Sequence, residues 1–396
     1  MPTVMSVFGV EPFRIGGTET FARELSSHLD QQGWDSVLCF QSEPPDDVRR
    51  FLNLDNVSFE VLPDSPNVNF KAIKDFIRVV RRHRPEIVHL HFTGFLGPYP
   101  WLARLNSVKK VFFTDHTSRP AGYIALRAPW WKRMLARAIN LPLTKIVCVS
   151  RYGYQCLNAL DLVPGERCEL VYNGVDLSRV QPNAERAAEF RRRYSIPTAR
   201  TVVLQVSWII PEKGIPDLLK AARLVISKNP HVQFVFVGEG AYRQQYTKEA
   251  ETMGLGDHVT WTGLVEDPFG EGVYDVADII CQASNWEEVF GWMIAEGMAY
   301  AKPVVGTRVG GIPELVADEQ SGFVVERGDA GAIAERILDL ASNPDLRARM
   351  GRRGCELVAT HFDLRVNVAK LIDLYRLQGS DVGPASADDR RSEFKP

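Results

Sequence analysis

Cysteine is scarce in this chain of 396 residues: six, at positions 39, 148, 156, 168, 281 and 355, with no CxxC pair. That spacing excludes a zinc ribbon and a disulfide scaffold and fits a reducing compartment. No apolar run approaches the ~18 residues needed to span a bilayer. The first ten residues lack a basic region and meet Glu11 at once, so they do not read as a signal peptide. Neither GxGxxG nor GxxxxGK followed by Ser or Thr occurs, which removes the usual dinucleotide and P-loop signatures.

Apolar residues make up 45% and charged residues 24%, which is ordinary for a globular chain and too apolar for disorder. At ~150 residues per domain, the length implies two or three domains. Together these features predict a soluble, cytoplasmic, enzyme-sized protein. The net charge is −2, but residues 1–180 hold 22 Lys and Arg against 18 Asp and Glu, and the remainder 25 against 31. Residues 71–160 alone carry sixteen basic side chains and only Asp75, Glu86 and Asp115 as acids. A stretch so one-sided points to an anionic partner.

Short apolar runs alternate with helical periodicity. Strands are expected at 4–10, 36–40, 87–92, 111–114 and 146–150, with helices at 18–32 (Phe21, Leu25 and Leu29 on one face) and 70–84, and others between. After a polar stretch, 181–200, the pattern restarts. Strands are expected at 201–207, 233–238, 259–263, 278–283 and 303–306, with helices at 215–228, 243–253 and about 290–300, then helices to about 377. Such alternation predicts an α/β chain with two doubly wound, Rossmann-like domains, 1–180 and 181–360, leaving a cleft at their sheet edges. Residues 380–396 lack apolar periodicity and are expected to form a disordered tail.

Several residues have chemistry to offer. Gly16-Gly17 lies between the first strand and the first helix, where free N–H groups and a helix dipole suit a phosphate; a plain strand–helix turn is the alternative. Glu288 precedes a helix and Glu296 lies two turns along it. Carboxylates there can accept hydrogen bonds from sugar hydroxyls or from the vicinal diol of a ribose, or can simply be solvated. The N–H groups of the turn through Val289, Phe290, Gly291 and Trp292 can meet a phosphate or sugar oxygen. Lys213, before Gly214 and at a strand's C-terminal end, suits a leaving diphosphate, with a surface lysine as the alternative. His89 and His91 share one face of a strand, but no third metal ligand is evident, so no metal is expected. His91 and His116 are read as hydrogen-bond donors at the cleft edge, against satisfied buried histidines.

In combination these pieces resemble a retaining GT-B glycosyltransferase of glycosyltransferase family 4. The resemblance covers about residues 1–378. Its most specific part is E-x7-E, Glu288 to Glu296, within EVFGWMIAEGMA and followed by KPVVGTRVGGIPELV. Supporting segments are Gly16-Gly17 with Glu19, EIVHLHF, VCVSRY, YNGVD, EKG, FVGEG, WTGLV and SGFVVERGD. The resemblance implies that Glu288, with the main chain of Phe290 and Gly291, holds the donor sugar. It gives Glu296 the ribose, Lys213 and the Gly17 amides the diphosphate, and the backbone near Leu264 the base. His116 would approach the sugar from the N-terminal domain. The C-terminal helix, within 361–378, would return to that domain. No cofactor and no metal are implied, and retention would follow from front-face attack rather than from Glu288 acting as nucleophile.

Two positions depart from the family pattern. Trp208 stands where an arginine is usual, five residues before Lys213. Tyr300-Ala301 replaces a common Cys-Gly pair, so Ala301 is expected to have negative φ. The segment APWWKRMLARAIN, in the basic region 71–160, interleaves aromatic and basic residues. That suits an anionic membrane surface at the inner face of the membrane, or an anionic lipid-linked acceptor; a helix packing its apolar face on the sheet is the alternative. Nucleic acid is not indicated. The leading expectation is hexose transfer from a UDP- or GDP-hexose to a saccharide or lipid-linked acceptor, in polysaccharide or glycolipid assembly. A catalytically weak nucleotide-sugar-binding scaffold comes next. An oxidoreductase or epimerase is opposed by the missing GxGxxG.

Overall fold

The computed structural model describes residues 1–63 and 69–376; the tail expected at 380–396 lies outside them. In chain order the first unit contains β1 (Thr3–Phe8), α1 (Gly17–Asp30), β2 (Asp35–Phe40), α2 (Asp46–Leu52) and β3 (Val57–Val61). Then come α3 (Phe70–His83), β4 (Ile87–His91), α4 (Tyr99–Leu105), β5 (Lys110–Asp115), α5 (Trp130–Ile139), β6 (Lys145–Cys148), α6 (Arg151–Leu160) and β7 (Cys168–Leu170). The seven strands pair in the order β3-β2-β1-β4-β5-β6-β7, each pair parallel. Helices on both faces bury every residue of β1 and β4, the polar Ser6, His89 and His91 included.

The second unit begins with α7 (Ala184–Arg193), followed by β8 (Thr201–Val206), α8 (Ile215–Lys228), β9 (Val232–Val237), α9 (Arg243–Thr252), β10 (Val259–Gly263) and β11 (Ile279–Gln282). It continues with α10 (Trp292–Ala299), β12 (Val304–Thr307), α11 (Ile312–Leu315), β13 (Gly322–Val325), α12 (Ala330–Ser342) and α13 (Pro344–His361). Its sheet has the order β10-β9-β8-β11-β12-β13, so both units repeat the same winding. Helix starts follow local chemistry: Asn69, Ser150, Asn183, Asp329 and Asn343 each cap a helix with a side-chain oxygen.

The division differs in detail from an expected boundary at 180. The second unit spans Gly174–Asp363 and also takes Ser118–Tyr123, where Arg119 and Glu287 exchange backbone hydrogen bonds of 3.0 and 2.9 Å. The last described helix, α14 (Leu364–Arg376), belongs to the first unit. Its Leu364, Val368, Leu371, Ile372 and Tyr375 join Val4, Leu25, Ile87 and Phe112 in one buried cluster.

Two expectations are corrected. The stretch 181–200, expected only as polar sequence before the pattern restarts, holds the helix α7 with Phe190 as its one buried residue. Ala301 has φ +55, not negative. Its N–H bonds Met298 O at 2.9 Å and the Lys302 N–H bonds Gly297 O at 3.0 Å, a left-handed C-terminal cap on α10. Alanine occupies it at a cost of about 1 kcal/mol relative to glycine. In α5 only Ala136 is buried, so the packed-face alternative for that helix also fails.

Candidate functional site

Ligands of parallel α/β sheets gather beyond the carboxyl ends of the strands, where strand order reverses. In the second unit that point lies between β8 and β11. Lys213 closes a short 3-10 turn after β8, and Glu288 lies on the loop between β11 and α10. Lys213 Nζ donates to Glu288 Oε1 at 2.6 Å, and Ser284 Oγ donates to the same oxygen at 2.7 Å. Glu288 is 6% exposed, so the solvated-glutamate alternative does not hold for it. A carboxylate this buried persists only when paired and hydrogen-bonded.

Backbone geometry makes the pair possible. Gly214 has φ +69, and a Cβ there would stand 1.7 Å from Ala283 O. The glycine of the EKG segment thus lets the β8 loop press onto the β11 loop. On the other side Gly311 N–H donates to Glu288 O at 2.7 Å. Glu287 Oε1 accepts from Gly122 N–H and Arg327 Nη1, each at 2.9 Å, and Oε2 from Gly310 N–H at 2.7 Å. Thr307 Oγ1 holds Ser284 O at 2.7 Å. The loop is gripped before any substrate arrives.

Further along, Val289 and Phe290 are buried, and Gly291, at φ +114, opens α10. Val289 N–H lies 3.4 Å from Ser118 Oγ. Glu296 sits half-buried on α10 and accepts a hydrogen bond from the Tyr274 hydroxyl. Leu264 is exposed at the end of β10, the edge strand separated from β11 by β9 and β8. The segment it starts leads to Tyr274. Trp208 is exposed just beyond β8.

The first unit holds the remaining candidates. Gly16 is the N-cap of α1 with φ −106, and its N–H donates to Glu19 Oε2 at 3.0 Å. That amide is therefore not open to an anion, a correction to the phosphate expectation; Gly17 is the first residue of the helix. Burial raises Glu19 to about 7 against the pull of nearby backbone N–H groups and Arg14. His116 is half-buried, stacked on Phe92 with ring centroids 4.1 Å apart, and its Nε2 lies 3.2 Å from His91 Nδ1. Burial holds His116 down to about 4. His91 ends β4 at the carboxyl edge of the sheet, where it was expected, but it is fully buried there. His89 is satisfied between Tyr375 Oη at 2.5 Å and Thr114 Oγ1 at 2.7 Å. Among the described residues, no three His, Cys, Asp or Glu side chains gather as a metal site.

Residues 187–356 match the family described as glycosyl transferases group 1, and residues 15–179 match glycosyltransferase family 4. The GDP-mannose-dependent alpha-(1-6)-phosphatidylinositol monomannoside mannosyltransferase of Mycobacterium tuberculosis is 32% identical over 305 residues, covering 76% of this chain and 78% of that protein. The chain belongs to the group 1, family 4 glycosyltransferases. Alpha-D-kanosaminyltransferase of Streptomyces kanamyceticus is 31% identical to this glycosyltransferase over 215 residues, 54% of this chain and 55% of that protein. In fold it is similar to Anabaena HepE, solved with UDP and glucose, at a TM-score of 0.75 and 17% identity, covering 95% of this chain and all of that one. The architecture is GT-B.

Sequence reasoning missed Ser284, Glu287, Gly310 and Tyr274. A glycine pair in VGGIPE was the visible signal for Gly310. Phe92 was missed too: it has φ +54, and Gly9 lets its carbonyl approach, since a Cβ there would stand 2.4 Å from Phe92 O.

Proposed function

We propose that this glycosyltransferase moves a hexose from a UDP- or GDP-hexose to a saccharide or lipid-linked acceptor, retaining anomeric configuration and using no metal. The observation that carries the reading is the buried Glu288–Lys213 pair at the β8/β11 switch point. Lys213 Nζ has three donors and spends one on Glu288. The others suit a diphosphate oxygen, stabilising charge as the leaving group departs. Glu288, fixed by Ser284 and Lys213, accepts from donor-sugar hydroxyls, with the main chain of Val289, Phe290 and Gly291 alongside. Glu296 takes the ribose diol, and the backbone at Leu264 the base.

In the chemical step the bond from C1 to the phosphate oxygen breaks and the acceptor oxygen bonds C1 on the same face. The acceptor proton leaves with the departing phosphate oxygen. The relatives' names support a nucleotide-sugar donor: one is GDP-mannose-dependent, and HepE was solved with UDP. No helix among the described residues is long and apolar enough to cross a membrane. The exposed Trp130, Trp131, Met134 and Leu135 with neighbouring arginines support peripheral attachment to an anionic membrane, at its cytoplasmic face.

The test is a thermal-shift and hydrolysis screen of UDP-, GDP- and ADP-sugars in EDTA, repeated on Glu288→Ala and Lys213→Ala. One donor should stabilise the wild type and be slowly hydrolysed, with hydrolysis reduced ~100-fold or more in both variants. Binding without hydrolysis would favour the scaffold reading that Trp208 motivates. A strict need for divalent cation would overturn the metal-free step.

A further inference from the structure

Glu296 extends from α10 on three rotatable bonds, and a side chain that loose makes a poor receptor for a rigid diol unless something orients it. The 264–278 segment supplies a partner. Tyr274 has no exposed surface, and its hydroxyl donates to Glu296 Oε2. Its ring lies 5.5 Å from Phe269 and 5.6 Å from Tyr300, and the Arg179 guanidinium covers Phe269 at 4.9 Å. A single hydroxyl donor takes only one of a carboxylate's about four acceptor sites. The next residue is anchored in turn: Asp275 accepts from Arg186 Nε at 3.0 Å and from Asn183 N–H at 2.6 Å. Gly272, at φ +83, lets the segment lie against α7, where a Cβ would come 2.9 Å from Arg186 O. A continuous chain of contacts thus runs from α7 through Asp275 and Tyr274 to Glu296.

We infer that Tyr274 is a positioning residue, fixing the Glu296 carboxylate for the vicinal diol of the nucleotide ribose, and that α7 buttresses the segment that carries it. This rests on the reading of Glu296 given above. It assigns a purpose to α7, whose sequence is otherwise that of a polar connector.

Calorimetric titration of the full chain with UDP, GDP and their 2′-deoxy counterparts tests it. The wild type should prefer the ribonucleotide by about tenfold or more, since a hydrogen bond to a charged group is lost in the deoxy form. Glu296→Ala should abolish the preference. Tyr274→Phe should reduce it to within about threefold, whereas a merely structural tyrosine would weaken both nucleotides equally and leave the ratio unchanged. Arg186→Ala leaves Tyr274 and Glu296 intact and should lower the ratio part of the way, a second reading should Tyr274→Phe fold poorly. A wild-type ratio in Tyr274→Phe, with the ratio lost in Glu296→Ala, overturns the role of Tyr274 alone. No preference in the wild type overturns the ribose reading of Glu296 and this inference with it.

Discussion

Glu288 is placed by what surrounds its backbone as much as by its side-chain partners. Gly310 has φ +51, and a Cβ there would stand 2.0 Å from Glu288 O and 2.7 Å from Glu288 N. Gly310→Ala must therefore push the Glu288 main chain aside, and displacements near 1 Å can cost ~100-fold in rate. Gly254→Ala provides the control. Gly254 is also left-handed, at φ +75, but has nothing within 4 Å, so only backbone strain of about 1 kcal/mol applies. We expect Gly254→Ala to keep full turnover with a slightly lower melting point, and Gly310→Ala to lose about two orders of magnitude in turnover while still folding. Equal activity in the two would show that the contact with Glu288 does not matter. The E-x7-E spacing was legible because it lies on one short segment. The Lys213–Glu288 bond joins residues 75 positions apart, a closeness that only strand order creates.

At the scale of elements, legibility followed how strongly each segment's apolar pattern depended on burial. The expected span of α8 matched the structure because Ile215, Leu218, Leu219, Ala222 and Val225 all face the core. Helix α7 buries Phe190 alone, and β13 is four residues long, so neither leaves a periodic signal. Helix α5 is the converse: its pattern is strongly amphipathic, yet its apolar face is not packed. Trp130, Trp131, Met134 and Leu135 are each more than half exposed. Around them, Arg127, Arg133 and Arg137 converge on Asp161 at 2.9, 2.6 and 2.5 Å. Hydrogen bonds from Arg127, then from Arg137, hold that carboxyl below its usual range. One carboxylate among three guanidiniums leaves positive charge in excess, and Lys132 adds more. Basic side chains near an anionic surface contribute about 1 kcal/mol each. The full chain should co-float with vesicles containing anionic phosphatidylglycerol, release as salt rises, and ignore neutral phosphatidylcholine. Trp130→Ser with Trp131→Ser should cut binding at least tenfold. Binding that is absent, or indifferent to lipid charge and salt, would refute the attachment.

For the molecule as a whole, the same doubly wound order appears twice, and the chain's last described helix closes the first unit. That closure runs through an ionisable group: Tyr375 on α14 meets His89 on β4 at 2.5 Å. A neutral imidazole satisfies this contact and the one to Thr114 with one donor and one acceptor. Burial holds His89 at about 3 and His116 at about 4, and lowers His91 as well. In an unfolded chain each would titrate near 6.5. Below that pH the unfolded state binds protons that the folded state refuses, so stability falls as pH drops from 6.5 toward 4. Glu19 acts in the opposite sense: raised to about 7, it binds a proton in the fold that the unfolded chain releases above its ordinary pKa near 4.5. Its contribution is therefore lost as pH rises from 4.5 through 7. Two or more histidines outweigh one glutamate on the acid side, which puts maximal stability near neutrality. Each histidine adds about 1.4 kcal/mol per pH unit to the acid slope. Chemical denaturation from pH 4.5 to 8 should show a wild-type stability that climbs to a maximum between about pH 6 and 7. His89→Gln, although less stable throughout by loss of its hydrogen bonds, should climb less steeply by about that amount. An unchanged acid slope in His89→Gln would mean that protonation of His89 does not oppose the docking of α14.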